Sequence, residues 1–299
     1  MKSANVIAAL LLTIAVTAAV FVITRGREGP RENRGETEEN WDTGIVTGYA
    51  MEPGQSISYR IEVRENIFGS YLNLTGLFRQ SAVDFENFSG ETVLRWDVWE
   101  NLEGSLTAAA GGATVSTGYA LAASGRALID NLLRMRYMAM LSEVRIEGQE
   151  NVYDGDSETI VDYENMKIVI RRDGEEDVRE ITSVLLDIPT CFVILRENLG
   201  GGYQDNFALR VLGGLPVGVI LRVEESETVD TPAGRFSCWV VSGRWGSENM
   251  EIYVRLLVSK RMDVVVGGSI SFRSFTEYGV ITDEQTWTLL EANWLPVAG

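Results

Sequence analysis

The chain contains no histidine, only two cysteines and only six prolines among 299 residues. Without imidazole there is no Ser-His-Asp or Cys-His nucleophile, no imidazole proton shuttle and none of the usual histidine-built zinc sites. Positive charge is also scarce: 26 basic residues face 43 acidic ones, a net charge of −17, and lysine occurs only as Lys2, Lys167 and Lys260. So negative a surface argues against nucleic-acid binding, which needs a basic face to neutralise phosphates, and against direct docking on anionic lipid. The glycines lack the downstream Lys-Ser/Thr and the strand-to-helix setting of a phosphate-binding loop.

What is present reads as an exported β protein. Apolar residues at 45% and charged residues at 23% are ordinary globular values, and the length leaves ample room for a buried core. Residues 5–24, NVIAALLLTIAVTAAVFVIT, form an uncharged, mostly apolar run. As a helix at about 1.5 Å per residue it spans roughly 30 Å, one bilayer core. A cleaved signal peptide is the rival, with Ala18 and Ala19 as small residues at a cleavage site, but the apolar run continues through Val20–Ile23. The expectation is an uncleaved N-terminal transmembrane anchor over 1–24. Residues 25–44 are charged, carry Gly and Pro, and read as a flexible stalk. Arg25, Arg27, Arg31 and Arg34 follow the span, and the positive-inside rule would keep the domain in the cytoplasm. The layout of a span feeding a β-rich domain points the other way, to the extracytoplasmic side.

From Ile45 onward the dominant period is two, and 45–299 reads as a single β-rich domain. In SISYRIEVRE (56–65), Ile57, Tyr59, Ile61 and Val63 share one face, with Ser58, Arg60, Glu62 and Arg64 on the other. ETVLRWDVWE (91–100) puts Leu94, Trp96 and Val98 together, and Asp173-Gly174 separates two runs as a hairpin turn does. About a dozen strands with hairpin-length links imply one antiparallel sheet system. The exception is 104–141. Its first half is rich in small residues, and from Tyr119 helix formers take over, with Leu121, Leu128, Leu132 and Met135 spaced for one helical face. The expectation is at least one helix here, covering the sheet. Arg126, Asp130, Arg134 and Arg136 argue against a second membrane span.

Candidate chemistry is sparse. Asp154, Asp156 and Glu158 alternate like calcium ligands but lack the remaining oxygens of a calcium loop, and a solvated acidic turn is the simpler reading. No metal or catalytic residue and no cofactor is assigned. Most tryptophans, such as Trp96, Trp239 and Trp287, fall on strand faces where core packing explains them. Asn73-Leu74-Thr75 and Asn87-Phe88-Ser89 are glycosylation sequons that lend export slight support. Cys191 and Cys238 read either as one disulfide, worth roughly 4 kcal/mol by loop closure, or as two separate buried thiols.

The segment ETVDTPAGRFSCWVV (227–241) is a strand-turn-strand: Pro232 fixes φ at the turn and Gly234 supplies positive φ or close backbone approach. Beyond it, Phe236, Cys238 and Val240 point to one face, Trp239 and Val241 to the other, so this strand should be covered on both sides. The segment resembles the E-x-V-x-T-P-A-G-x-F-x-C-x-x-V signature of a family of exported bacterial and archaeal proteins of unknown function, similar to the lipoprotein carriers LolA and LolB. LLDIPTCFVILRENL (185–199) is similar to that family's preceding segment, with Thr190 where a serine usually sits and Cys191 as a departure. LLVSKRMDVVVGG (256–268) is similar to its following strand without the usual proline. The resemblance covers roughly residues 140 to 290 and implies a curved antiparallel half-barrel or open barrel with a covering helix, an exported location, and no catalytic residues. It leads to a membrane-anchored, extracytoplasmic, non-catalytic binding module for an apolar or lipid-like ligand, with Phe236, Trp239 and Val241 as the candidate cavity. The alternative is a structural or interaction protein of the envelope, with a protein partner and a self-filled core. A carboxylate hydrolase would need two carboxyls converging in a cleft.

Overall fold

Residues 56–67 fold as their period demands: Ile57, Tyr59, Ile61 and Val63 are buried, while Arg60 and Arg64 are exposed. The structure, a computed structural model, describes residues 51–294 apart from 111–112, 133, 150–152, 173, 189–201, 212–215 and 262–263. The apolar run 5–24, the stalk 25–44, Thr190 and Cys191 lie outside the described residues. The described chain is built from strands β1 (Ser56–Ile67), β2 (Ser70–Phe88), β3 (Glu91–Ala110), β4 (Ala113–Ile129), β5 (Met135–Ile146), β6 (Tyr153–Asp162), β7 (Lys167–Arg172), β8 (Glu175–Glu180), β9 (Val184–Ile188), β10 (Gln204–Val211), β11 (Val217–Thr231), β12 (Gly234–Ser247), β13 (Met250–Ser259), β14 (Val265–Thr276) and β15 (Gly279–Ala292).

All belong to one 15-stranded sheet. β1 to β8 form one antiparallel meander and β10 to β15 another, and the first and last strands join them, Ile61 opposite Trp287 and Glu65 opposite Asp283. β9 pairs with β10 in parallel, Val184 opposite Phe207. The free edges are β8 and β9, which are consecutive in sequence and joined only by residues 181–183. Four Cα steps reach at most about 14 Å, so the sheet must curl until its edges nearly meet at this corner. Leu185 N–H donates to the Tyr163 hydroxyl (3.3 Å) there, tying β9 to the β6–β7 turn. The expected curved antiparallel sheet is present, open along this seam.

The expected covering helix is not. No helix occurs among the described residues, and 119–141 forms the end of β4, a turn, and most of β5. The helical spacing of Leu121, Leu128, Leu132 and Met135 coexists with a period-two set, Leu121, Ala123, Ala127 and Ile129, which pairs with β3 and β5 on both sides. Gly118 and Gly125 each cost a helix about 1 kcal/mol, and two ladders of cross-strand hydrogen bonds outweigh the propensity of Ala and Leu. The charged residues expected on the helix close the turn instead. Buried Asp130 accepts the backbone N–H groups of Leu132 and Arg134, each at 2.9 Å, and pairs with the Arg134 guanidinium at 2.8 Å.

Close approach of strands accompanies the curvature. A Cβ at Gly76 of β2 would collide with the Asn101 carbonyl of β3, and one at Gly104 with the Asn73 carbonyl of β2. Glycine is required at both places. The hairpin at 231–234 is as expected: Thr231 pairs with Gly234, whose φ is 131°, across Pro232-Ala233. β12 is paired on both edges and covered on both faces, since Cys238, Val240, Val241 and Ser242 are all buried. One apolar core runs from Met51 and Tyr59 through Trp96 and Ile168 to Leu185, Val241 and Val266.

Candidate functional site on the concave face

The inward positions of β1 continue Ile61, Val63, Glu65, and those of β15 run Ile281, Asp283, Gln285, Trp287. Two carboxyl side chains therefore stand in the apolar phase of their strands, directly opposite one another across the junction of the two meanders. Cβ atoms in such a pair lie about 5 Å apart. Asp283 is 9 % exposed, and burial followed by the Glu65 charge pushes its carboxyl up to about 8. Burial raises Glu65 as well. Gln285 donates its side-chain N–H to Asp283 Oδ2 at 3.3 Å, and Asp283 Oδ1 has no hydrogen-bond partner among the described residues. Like charges this close cannot both ionise cheaply, so near neutrality the pair retains a proton.

Burial, and after it the charge of Glu65, pushes the hydroxyl of Tyr119, three strands from β1 along the sheet, up to about 12. Curvature explains that reach. Glu100, also inward and lying between Phe78 and Ala123, is pushed up to about 7 by burial. Alternation assigns no lysine or arginine to an inward position of β1–β4 or β13–β15.

Near β4–β6 the concave face is not fully packed. Leu121, Met140, Ser142, Val144 and Ser157 point inward from strands paired on both edges, yet all remain half-buried. They outline a loosely packed recess bordered by Glu100 and Tyr119, and buried Leu72, Leu74, Leu102 and Leu106 lie between it and the Glu65–Asp283 pair. The signal for the pair is in the sequence: a carboxylate in the inward phase of an otherwise apolar strand. Its significance depends on the pairing of β1 with β15.

The residues picked out from sequence lie elsewhere. Val241 is fully buried in the core, while Phe236 and Trp239 are half-buried on opposite faces of β12. Trp239 is covered by Lys260, whose Nζ sits 3.8 Å from the ring centroid. Cys238 is buried, its thiol is pushed up to about 11 by burial, and it donates to the Phe236 carbonyl at 3.7 Å. Glu158 of the acidic trio is held by Arg171 at 2.7 Å and by the Tyr137 hydroxyl at 2.9 Å, while Asp154 and Asp156 are exposed. No group of three or more candidate metal ligands occurs among the described residues, nor does any helix long and apolar enough to cross a membrane. Two open grooves of about 980 and 670 Å³ are also present, the first lined by Glu103, Gly118, Arg145 and Glu147, the second by Tyr137, Leu141, Glu158 and Arg171.

The fold and site define a class: a single large antiparallel sheet curled around a partly polar interior. No protein-family model matches the sequence, and no curated protein matches it. Among solved structures, a β-barrel-like protein of the domain of unknown function DUF1849 from Brucella abortus is similar, with 10% identity, TM-score 0.46, and coverage of 80% of this chain and 96% of that one. An exported protein with a YmcC-like fold from Bacteroides fragilis matches at 10% identity and TM-score 0.26, covering 83% and 98%. A porin-like protein from Bacteroides uniformis matches at 6% identity and TM-score 0.23, covering 78% and 95%. These superpositions are loose, and function has to be read from the chain's own geometry.

Proposed function

We propose that this chain is a membrane-anchored, extracytoplasmic, non-catalytic binding module that holds an apolar, lipid-like ligand against the concave face of its sheet. One observation carries the reading: Leu121, Met140 and Val144 face inward from strands paired on both edges and yet are half-buried. Completing the burial of each would contribute up to about 1 kcal/mol, a stabilisation that a bound alkyl chain supplies and water does not. Width adds support. Fifteen strands curled at about 4.8 Å each make a perimeter of roughly 70 Å, wider than the eight-stranded barrel that side chains just fill. The lipoprotein-carrier resemblance of 227–241 and the apolar run 5–24 favour the exported, anchored setting.

The continuous core from Met51 to Val266 favours a second reading, a self-filled structural protein of the envelope. A hydrolase reading gains opposed carboxyls in Glu65 and Asp283, but the inward positions around them hold no cation to stabilise developing negative charge. Photolabelling of the full chain in lipid nanodiscs with a diazirine-bearing alkyl alcohol separates the two main readings. Adducts on the inward residues of β4–β6, competed by excess octanol, are expected for the binding module. Adducts confined to the anchor and to exposed outer residues such as Trp99 and Leu141 would leave the structural reading.

A further inference from the structure

The charged side chains at the inward positions of β1–β4 and β13–β15 are all carboxyls. Glu65 and Asp283 oppose each other, Asp283 is nine-tenths buried, and its Oδ1 has no partner among the described residues. Gln285 gives Asp283 one donor, on Oδ2. The neighbouring inward positions are Val63 and Ile67 on β1, Ser70, Leu72 and Leu74 on β2, and Ile270, Phe272 and Ser274 on β14; none carries a positive charge, and with two serine hydroxyls nearby Asp283 Oδ1 is still left without a partner among the described residues. A buried carboxyl pair without counter-charge costs a fold several kcal/mol and lends no specificity to packing that leucine would not. Such a pair is explained when the missing donors arrive with a ligand.

We infer that Glu65 and Asp283 form the head-group subsite of the concave recess and that the ligand is an amphiphile bearing a primary ammonium. An ammonium carries three N–H donors and one positive charge, matching an unpartnered Oδ1 and two opposed carboxyls. Carboxylate or phosphate heads would meet like charge with no cation to offset it. The tail has a path over apolar side chains: Glu65 and Leu121 are three strands apart, about 14 Å, and Leu106 in the row of Glu65 and Leu102 in the row of Leu121, both buried, are four residues or about 13 Å apart along β3. That path passes Tyr119 and ends among Leu121, Val144 and Met140.

The inference rests on the binding reading above, and the two can fail separately. In the same nanodisc photolabelling, octylamine, octanol and octanoate compete against the alcohol probe on the wild-type chain, on Asp283→Asn and on Glu65→Gln. Octylamine is expected to compete at a concentration at least about tenfold below octanoate in the wild type, about 1.4 kcal/mol of discrimination. In either variant the advantage should shrink several-fold while octanol competes as before. Dihexanoyl phosphatidylethanolamine competing as well as octylamine assigns an aminolipid, and octylamine alone a simple alkylamine. Equal competition by the three heads, or an unchanged ranking in both variants, overturns this inference and leaves apolar binding standing. No labelling of the inward residues removes the binding reading and this inference with it.

Discussion

Replacing Asp283 by asparagine keeps the shape of the side chain and removes its charge. In the folded chain the carboxyl titrates at about 8 instead of the ordinary 3.8, because it is buried and faces Glu65. A folded-state pKa above the unfolded one means that the native state binds the extra proton between about pH 4 and pH 8. Stability therefore falls as pH rises through that window, and the neutral pair is least costly at its acidic end. Four units at about 1.4 kcal/mol each set an upper bound of roughly 6 kcal/mol, which Glu65 shares because only one proton need be retained. Asp283→Asn should then stabilise the chain by about 2–3 kcal/mol at pH 8 and change it by under about 1 kcal/mol at pH 5. The asparagine amide can donate to Glu65, so no new buried polar group is orphaned. Urea unfolding of the full chain in nanodiscs, followed by the fluorescence of buried Trp96 and Trp287, measures both values. A wild-type stability flat from pH 5 to pH 8, or a variant that parallels the wild type throughout, would refute the argument that the pair is buried without compensation.

Three further outcomes are expected. Gly104→Val puts a Cβ into the Asn73 carbonyl of β2 and should lower stability by about 3 kcal/mol or more in the same unfolding assay, whereas Ser105→Val on the neighbouring position should cost under about 1 kcal/mol. If Cys238 pairs with Cys191 in the mature protein, thiol labelling of denatured, unreduced chain finds no free thiol, and replacing both by alanine costs a few kcal/mol; quantitative labelling of both ends that proposal. If residues 5–24 anchor an exported domain, protease added to intact cells digests the chain beyond the stalk, and protection of the whole domain would show that Arg25–Arg34 had set the opposite orientation.

The sequence by itself determined the local texture of this protein. Alternation at Ile57–Val63 and Leu94–Val98 dictates strands with one dry face, because successive side chains leave a pleated backbone on opposite sides. Gly174 and the Pro232–Gly234 turn place hairpins through backbone geometry that no distant contact is needed to enforce. The two apolar faces around Cys238 show that β12 is covered twice. Tertiary structure decided the rest. Residues 119–141 carry both a helical and an alternating apolar pattern, and only the presence of β3 and β5 on either side selects the strand. Glu65 and Asp283 lie near opposite ends of the described chain and meet because the first and last strands pair in one register; a slip of one residue would turn one of the two carboxyls to the outer face and part them. That register is a property of the curled sheet as a whole, and with it comes an interior whose inward charges in β1–β4 and β13–β15 are all acidic.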